Sequence, residues 1–222
     1  MKASIVIPVY KPHILLEKCL DGITKNTDLN NVEVIVVCNG SEEKSAEIVL
    51  NAGHRLVWYK EPIGFTRAAN IGFKIATSDA VIIMNTDSYI LDFSPKNQWI
   101  DRLVDPFVNP KIGVTGLGIM WTRFGSYMPF YCAAIRRSLF DKIGHLDERF
   151  SPGYAEDADF CYRTRKFGYE VLQVDNVTAD DVNKRWITDY PIHHIGEQSF
   201  QDKEKRQQYV ERGHKLLEEI WG

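Results

Sequence analysis

No apolar run in this chain approaches the ~20 residues that a helix needs to cross a bilayer; the longest are the size of buried strands. Charge of one sign is not in excess either. The 27 Lys and Arg are set against 30 Asp and Glu, for a formal net charge of −3, so no global basic field points to nucleic acid. Cysteine is scarce, with Cys19, Cys38, Cys132 and Cys161 scattered over 222 residues. That scatter fits no metal site, and three of the four lie in apolar segments, so buried thiols in a reducing, cytosolic setting are expected. Internal repeats, low-complexity tracts and linkers are lacking, which favours one continuous domain over 1–222. A glycine-rich phosphate loop after the first strand is also lacking, since Val9-Tyr10-Lys11-Pro12 stands there; this argues against other Rossmann-like nucleotide enzymes such as a nucleotidyltransferase. The opening Met1-Lys2-Ala3-Ser4-Ile5-Val6 reads as a strand at once, with no secretory signal.

What is present is ordinary globular composition, 44% hydrophobic and 26% charged, arranged as strand and helix in turn. Ala3 to Val9, Val32 to Cys38, Arg55 to Tyr59 and Ala80 to Ile83 read as strands. Val34-Ile35-Val36-Val37 runs unbroken, as expected where both sheet faces are covered. Leu15, Leu16, Cys19, Leu20 and Ile23 mark one face of a helix. Ser41-Glu42-Glu43-Lys44 looks like a capped start of the next. Ala68, Ala69, Gly72 and Ala76 would let a third lie close against the sheet. This alternation predicts an α/β fold, a mostly parallel, Rossmann-like central sheet flanked by helices. Further on, helices are expected over Trp99 to Phe107 and Ser138 to Ile143. Another should follow Tyr154-Ala155-Glu156-Asp157, with Phe160, Cys161, Thr164 and Phe167 on one face. Val114 to Met120 and Val171 to Val174 read as strands, and Asp202 to Trp221 as a charged helix packed back on the body.

The fourth strand ends in Met84-Asn85-Thr86-Asp87-Ser88, which delivers a carboxylate to the sheet edge where ligands of open α/β sheets collect. By itself Asp87 fits a turn as well as a site. Five pieces taken in order say more: Ser4-Ile5-Val6-Ile7-Pro8-Val9-Tyr10, Cys38-Asn39-Gly40-Ser41, Gly64 to Gly72 with Asn70, Asn85-Thr86-Asp87, and Glu156-Asp157. Together they resemble the family 2 glycosyltransferases of the GT-A fold, which transfer a sugar from a nucleotide diphosphate. The resemblance covers Ser4 to about Ser199, and its Asn-Gly-Ser turn looks most like rhamnosyltransferase-type members.

The resemblance implies roles for named residues. Asp87 matches the last carboxylate of the family's Asp-x-Asp motif and would share Mn²⁺ or Mg²⁺ with the donor diphosphate. Asn85 stands where the first Asp would be, which makes it and Thr86 nucleotide contacts. His194, in His194-Ile195-Gly196-Glu197-Gln198-Ser199, matches the family's His-x-Gly-x-x-Ser run as a further metal ligand, with His193 as the fallback. Pro8 and Tyr10 border the nucleotide. Asn39 stands where the family contacts a pyrimidine base, its carbonyl accepting from N3–H and its amide donating to O4; an Asn-Gly turn is the alternative. Arg67 and Asn70 would face diphosphate or ribose, an exposed helix arginine being the alternative for Arg67. Asp157 is the candidate base of an inverting transfer, or a helix cap, and Glu156 would bind acceptor or orient the site. Aromatics among Trp121, Phe124, Tyr127, Phe130 and Tyr131 would floor an acceptor sugar or pack the core.

The implied function is inverting transfer from a UDP- or dTDP-sugar to a hydroxyl of a glycan or lipid-linked acceptor, with no nucleic-acid partner. Residues 1–90 would form the nucleotide half, 91–200 the acceptor and catalytic half, and 201–222 a C-terminal helix. The enzyme would be cytoplasmic and at most peripheral to a membrane. The alternative is a sugar-nucleotide-binding protein of the same fold with weak or no turnover, which Asn85 and Asn39 would favour and Asp87, Glu156 and Asp157 oppose.

Overall fold

The computed structural model describes residues 2–10, 13–91, 95–180, 185–196 and 202–222. Strands and helices alternate through the first half as β1 (Ala3–Val9), α1 (His13–Asn26), β2 (Val32–Asn39), α2 (Glu43–Asn51), β3 (Arg55–Tyr59), α3 (Phe65–Ile75), β4 (Ala80–Met84) and β5 (Ser88–Ile90). The second half runs α4 (Gln98–Val104), β6 (Ile112–Gly116), β7 (Met120–Thr122), β8 (Gly125–Tyr127), β9 (Cys132–Arg136), α5 (Ser138–Ile143) and α6 (Glu156–Lys166). It closes with β10 (Glu170–Gln173), β11 (Val177–Asp180), β12 (Arg185–Thr188), β13 (Ile192–His194) and α7 (Lys203–Trp221). Seven strands form one sheet in the order β10-β6-β9-β4-β1-β2-β3. β1 pairs in parallel with β2 and β4, and β2 with β3. β9 alone runs antiparallel, between β4 and β6.

The unbroken apolar runs follow from helices covering both faces. Along β1, Ile5, Ile7 and Val9 enter one core cluster while Val6 enters the other; along β4, Ile82 and Met84 divide likewise from Val81 and Ile83. The small residues of α3 do what their spacing predicts: a β-carbon on Gly72 would stand 2.2 Å from Val6 Cγ1, so only glycine admits the helix at this depth. Among the described residues, no helix is long and apolar enough to cross a membrane. All four cysteines are buried and free.

Four sequence expectations are corrected. α2 starts at Glu43 after Glu42, with no side-chain cap bond, so Ser41 does not cap it. The helix expected through Phe107 stays α-helical only to Val104 and tightens to a 3-10 turn over Asp105–Val108, because Pro106 has no N–H to continue the ladder. The strand expected from Val114 to Met120 ends at Gly116. There Gly118 takes a positive φ of 63° and its N–H donates to Asp175 Oδ1 at 2.9 Å, which frees Met120–Thr122 to pair with Gly125–Tyr127 as a hairpin. Phe167 is 56% exposed, since the helix ends at Lys166 and turns that side chain off the buried face.

Candidate active site

A cleft of about 1120 Å³ opens at the carboxyl ends of β1, β2 and β4, bordered by Pro8, Tyr10, Asn39, Asn85, Thr86 and Asp87, at the edge where open α/β sheets take their ligands. After β4 the chain turns sharply: Asn85 N–H donates to the Tyr131 carbonyl at 2.9 Å, and Ser88 N–H to the Asn85 carbonyl at 3.1 Å. The turn buries Asp87 to 5% exposure beneath β13, whose His194 is paired with Ser88 of β5. His194 Nε2 lies 3.3 Å from Asp87 Oδ1. Its ring stacks on Tyr131 with centroids 4.3 Å apart and planes at 5°. Strand alternation sends His193 to the other face, exposed and beside Tyr89, so of the two histidines His194 borders the cleft. Of the run that singled out His194, 197–199 lie outside the described residues. Below, burial and then the Asp87 charge push the Cys19 thiol up to about 12.

Asn39 ends β2, and its Oδ1 accepts from Ile63 N–H at 2.5 Å and Gly64 N–H at 3.1 Å. The oxygen reserved by the sequence reading for a base is thus engaged by the loop before α3. Gly64 has φ 89°, and a β-carbon there would stand 2.1 Å from Ser151 Oγ. That close approach stitches 62–64 to 151–152, with Phe65 N–H donating to the Pro152 carbonyl at 2.6 Å. Arg67 borders the cleft, its Nε 3.5 Å from Glu148 Oε2. Asn70 does not border it. Its side chain is 2% exposed, donates to the Leu146 carbonyl at 2.9 Å and accepts from Leu146 N–H at 3.0 Å. The expected nucleotide contact is instead a tie between α3 and the 145–148 segment.

Across the cleft, Glu156 and Asp157 open α6 behind Ala155, a left-handed N-cap with no side-chain cap bond. Asp157 Oδ1 accepts from Ala158 N–H at 2.8 Å, one of the free amides of the first helical turn. Glu156 is 6% exposed, and its Oε2 has no hydrogen-bond partner. Burial first, then the neighbouring Asp157 charge, raises the Glu156 carboxyl well above the usual range. Burial raises Asp157 too, against the pull of backbone N–H donors. Burial and the Asp157 charge raise the Tyr127 phenol as well. Asp159 and Arg163 form an ion pair four residues apart on α6, Nη2 to Oδ2 at 2.8 Å.

The hairpin β7–β8 makes one wall. Met120, Thr122 and Tyr127 border the cleft, while Trp121, between them, points to the opposite face and is 75% exposed. Of the other aromatics in this stretch, Phe130 and Tyr131 also border the cleft, and Phe124 does not. Sequence reasoning missed Arg206, Tyr209, Val210 and His214 of α7, which border it too. Their i, i+3, i+4, i+8 spacing was legible as one helical face, but its mixed polarity hid it.

Among the described residues no group of three or more His, Cys, Asp or Glu is placed to hold a metal ion. One carboxylate and one imidazole suit a cation that takes its remaining ligands from diphosphate and water, as Mg²⁺ and Mn²⁺ do. Asp87 and His194 fit such a site.

Sheet order, flanking helices and a ligand edge bearing carboxylates define a nucleotide-sugar-transferase type of architecture, the GT-A fold. The mannosyltransferase PcManGT from Pyrobaculum calidifontis, solved with GDP-Man and Mn²⁺, superposes with a TM-score of 0.65 at 20% identity, over 78% of this chain and 54% of that one. GalNAc-T7, solved with UDP, GalNAc and Mn²⁺, also gives 0.65 at 17% identity, over 78% and 41%. In sequence, glycosyltransferase GlyA of Streptococcus pneumoniae serotype 4 is 32% identical over 146 residues, 64% of this chain and 20% of GlyA. Residues 4–123 match the family described as Glycosyl transferase family 2, and the chain belongs to that family. It spans about a fifth of GlyA's length. These likenesses do not single out a rhamnosyltransferase-like subgroup.

Proposed function

We propose that this chain is an inverting glycosyltransferase domain that moves a sugar from a UDP- or dTDP-sugar to a hydroxyl of a glycan or lipid-linked acceptor. The observation that carries this reading is that Asp87 with His194, and Glu156 with Asp157, border one cleft at the carboxyl ends of the parallel strands. Asp87 and His194 would hold Mn²⁺ or Mg²⁺, which neutralises the charge that grows on the departing diphosphate. Pro8, Tyr10, Asn39, Asn85 and Thr86 line the donor side and Arg67 its rim. With Asn39 Oδ1 engaged by the loop, base recognition falls to its Nδ2, a donor suited to a pyrimidine carbonyl.

Asp157 carries the proton step. As the acceptor oxygen forms its bond to the anomeric carbon, the carboxylate takes that hydroxyl's proton, and the bond to the diphosphate breaks with its electron pair leaving on the nucleotide. A single displacement inverts the centre. A raised Asp157 carboxyl suits this work, because a base near the operating pH both exists ionised and accepts a proton readily. Residues 1–90 act as the donor half, 91–200 as the acceptor and catalytic half, and 201–222 as the C-terminal helix, in a cytoplasmic protein that meets lipid-linked acceptors at the membrane face.

A screen of UDP-, dTDP-, GDP- and ADP-sugars with Mn²⁺ or Mg²⁺ tests it. Turnover is expected with a pyrimidine donor, with loss in EDTA and in Asp87→Ala. Asp157→Asn keeps the Ala158 contact and should keep donor affinity while turnover falls ~10²-fold or more. Full activity in EDTA, a preference for GDP, wild-type turnover in Asp157→Asn, or a product of retained configuration would each remove the corresponding part.

A further inference from the structure

The turn that delivers Glu156 and Asp157 has an unfavourable backbone. Tyr154 and Ala155 sit consecutively at φ 79° and 73°, a region that residues with a β-carbon enter only when their surroundings force them. Ala155 is the helix N-cap and contributes no side-chain bond; from α6 the Glu156 carboxyl accepts from the backbone N–H of Tyr154, and the further support comes from outside that helix.

Helix α7 touches the turn on every side. Before it, Arg212 Nη2 donates to the Phe150 carbonyl at 3.0 Å and also to the Ser151 carbonyl. At the turn, a β-carbon on Gly213 would lie 2.6 Å from the Tyr154 carbonyl oxygen and 3.3 Å from Ala155 Cβ, a distance at which backbone must move. After it, Leu217 is buried in a cluster with Phe150, Ala158 and Tyr162. Beyond that, Trp221 Nε1 donates to Asp159 Oδ1 at 3.0 Å. Two carbonyls ahead of the turn, its own backbone and the first two turns of α6 are therefore all fixed to one rigid element.

We infer that α7 is a positioning element for Asp157: Arg212 and Gly213 hold Tyr154–Ala155 in the left-handed turn and so set the carboxylate against the cleft. This rests on the reading of Asp157 as base, and the test is arranged to separate the two. A glycine in mid-helix is otherwise a weak choice, since alanine favours the helix; its presence here is explained by the approach to Tyr154. The face that carries Gly213 also presents Tyr209, Val210 and His214 to the same cleft, so the element that fixes Asp157 also walls the space beside it.

The experiment compares Gly213→Ala and the milder Arg212→Lys with wild type in the full chain. It measures amide hydrogen exchange over 150–158, the dissociation constant for UDP with Mn²⁺, and kcat for hydrolysis of the donor that the screen returns, water serving as acceptor. Exchange over 150–158 is expected to quicken while β1, β2 and β4 keep their protection. UDP affinity should stay within about twofold, and kcat should fall toward ~10²-fold in Gly213→Ala, the scale for a misplacement near 1 Å, with a smaller fall in Arg212→Lys. Unchanged exchange over 150–158 in both variants would overturn the proposal, as would loss of UDP affinity in step with kcat. Wild-type turnover in Asp157→Asn would defeat the base assignment alone, leaving the exchange result to decide whether α7 holds the turn.

Discussion

Asn39→Ala removes the one acceptor shared by two backbone amides, Ile63 N–H at 2.5 Å and Gly64 N–H at 3.1 Å. Each orphaned donor costs ~1–3 kcal/mol when sealed from water. Both amides belong to half-buried residues at the cleft, so water reaches part of the way and the lower end applies, a total of about 2 kcal/mol. Asn39→Asp keeps the shared acceptor and makes both hydrogen bonds charge-assisted, while deleting the Nδ2 donor. The two variants therefore separate the loop from the ligand. Urea unfolding at neutral pH should show Asn39→Ala destabilised by roughly that amount and Asn39→Asp near wild type. Calorimetric titration should show UDP affinity reduced in both, in the first because the 62–64 wall moves and in the second because the donor is gone. Unchanged stability in Asn39→Ala would refute the loop role, and unchanged UDP affinity in Asn39→Asp would remove Nδ2 from base recognition.

Glu33 tests the other end of the sheet. Burial raises its carboxyl, but Ser4, both donors of Thr77 and Arg55 outweigh that and hold it at about 2. Its stabilisation is present above the ordinary value of 4.5 and lost as pH falls from there toward 2. A shift of that size corresponds to ~3 kcal/mol at most, and partial solvation reduces it to roughly half; Glu33→Gln should cost that at pH 7 and nothing near pH 2, and an equal cost at both would refute it. For Glu156 the sign is opposite, because a carboxyl raised in the folded state loses stability as pH climbs past the unfolded value. Thermal melts should therefore show Glu156→Gln gaining on wild type between pH 5 and 8, and a constant gap would show that Glu156 does not titrate in that window. Asn70→Ala leaves Leu146 N–H and C=O unpaired and should lower stability by ~2 kcal/mol or more with UDP affinity intact, whereas weakened UDP binding at unchanged stability would restore it to the nucleotide site.

The parallel half of the fold was legible because burial on both faces writes itself into continuous apolar runs: Ala3–Val9 and Val32–Asn39 fall within a residue of where those runs stand. The short strands β5 and β13 were not legible. Each has three residues, and their pairing joins segments about a hundred positions apart, which no local period records. Asp87 and Asp157 reach the cleft because each follows directly on a readable element boundary, the end of β4 and the start of α6. Asn70 misled because its small polar side chain suits a ligand and a buried carbonyl equally, and only the tertiary position of Leu146 decides between them. α7 was read correctly as a packed helix, but its part in the cleft depends on where it lands.

The β7–β8 hairpin has a consequence for how such a domain can change its substrate over evolutionary time. Side chains alternate across a strand, so a single inserted or deleted residue exchanges its two faces. Met120 and Thr122 border the cleft and Trp121 faces away at 75% exposure. One codon gained or lost in the Arg123–Phe124 turn, slipping Met120–Thr122 by one against Gly125–Tyr127, would present the indole to the cleft and turn the thioether and hydroxyl outward. The sheet that carries Asp87 and the helix that carries Asp157 would be untouched. On the proposed function, acceptor preference could thus move in one genetic step, by a change of register within the wall and with no substitution at Asp87 or Asp157.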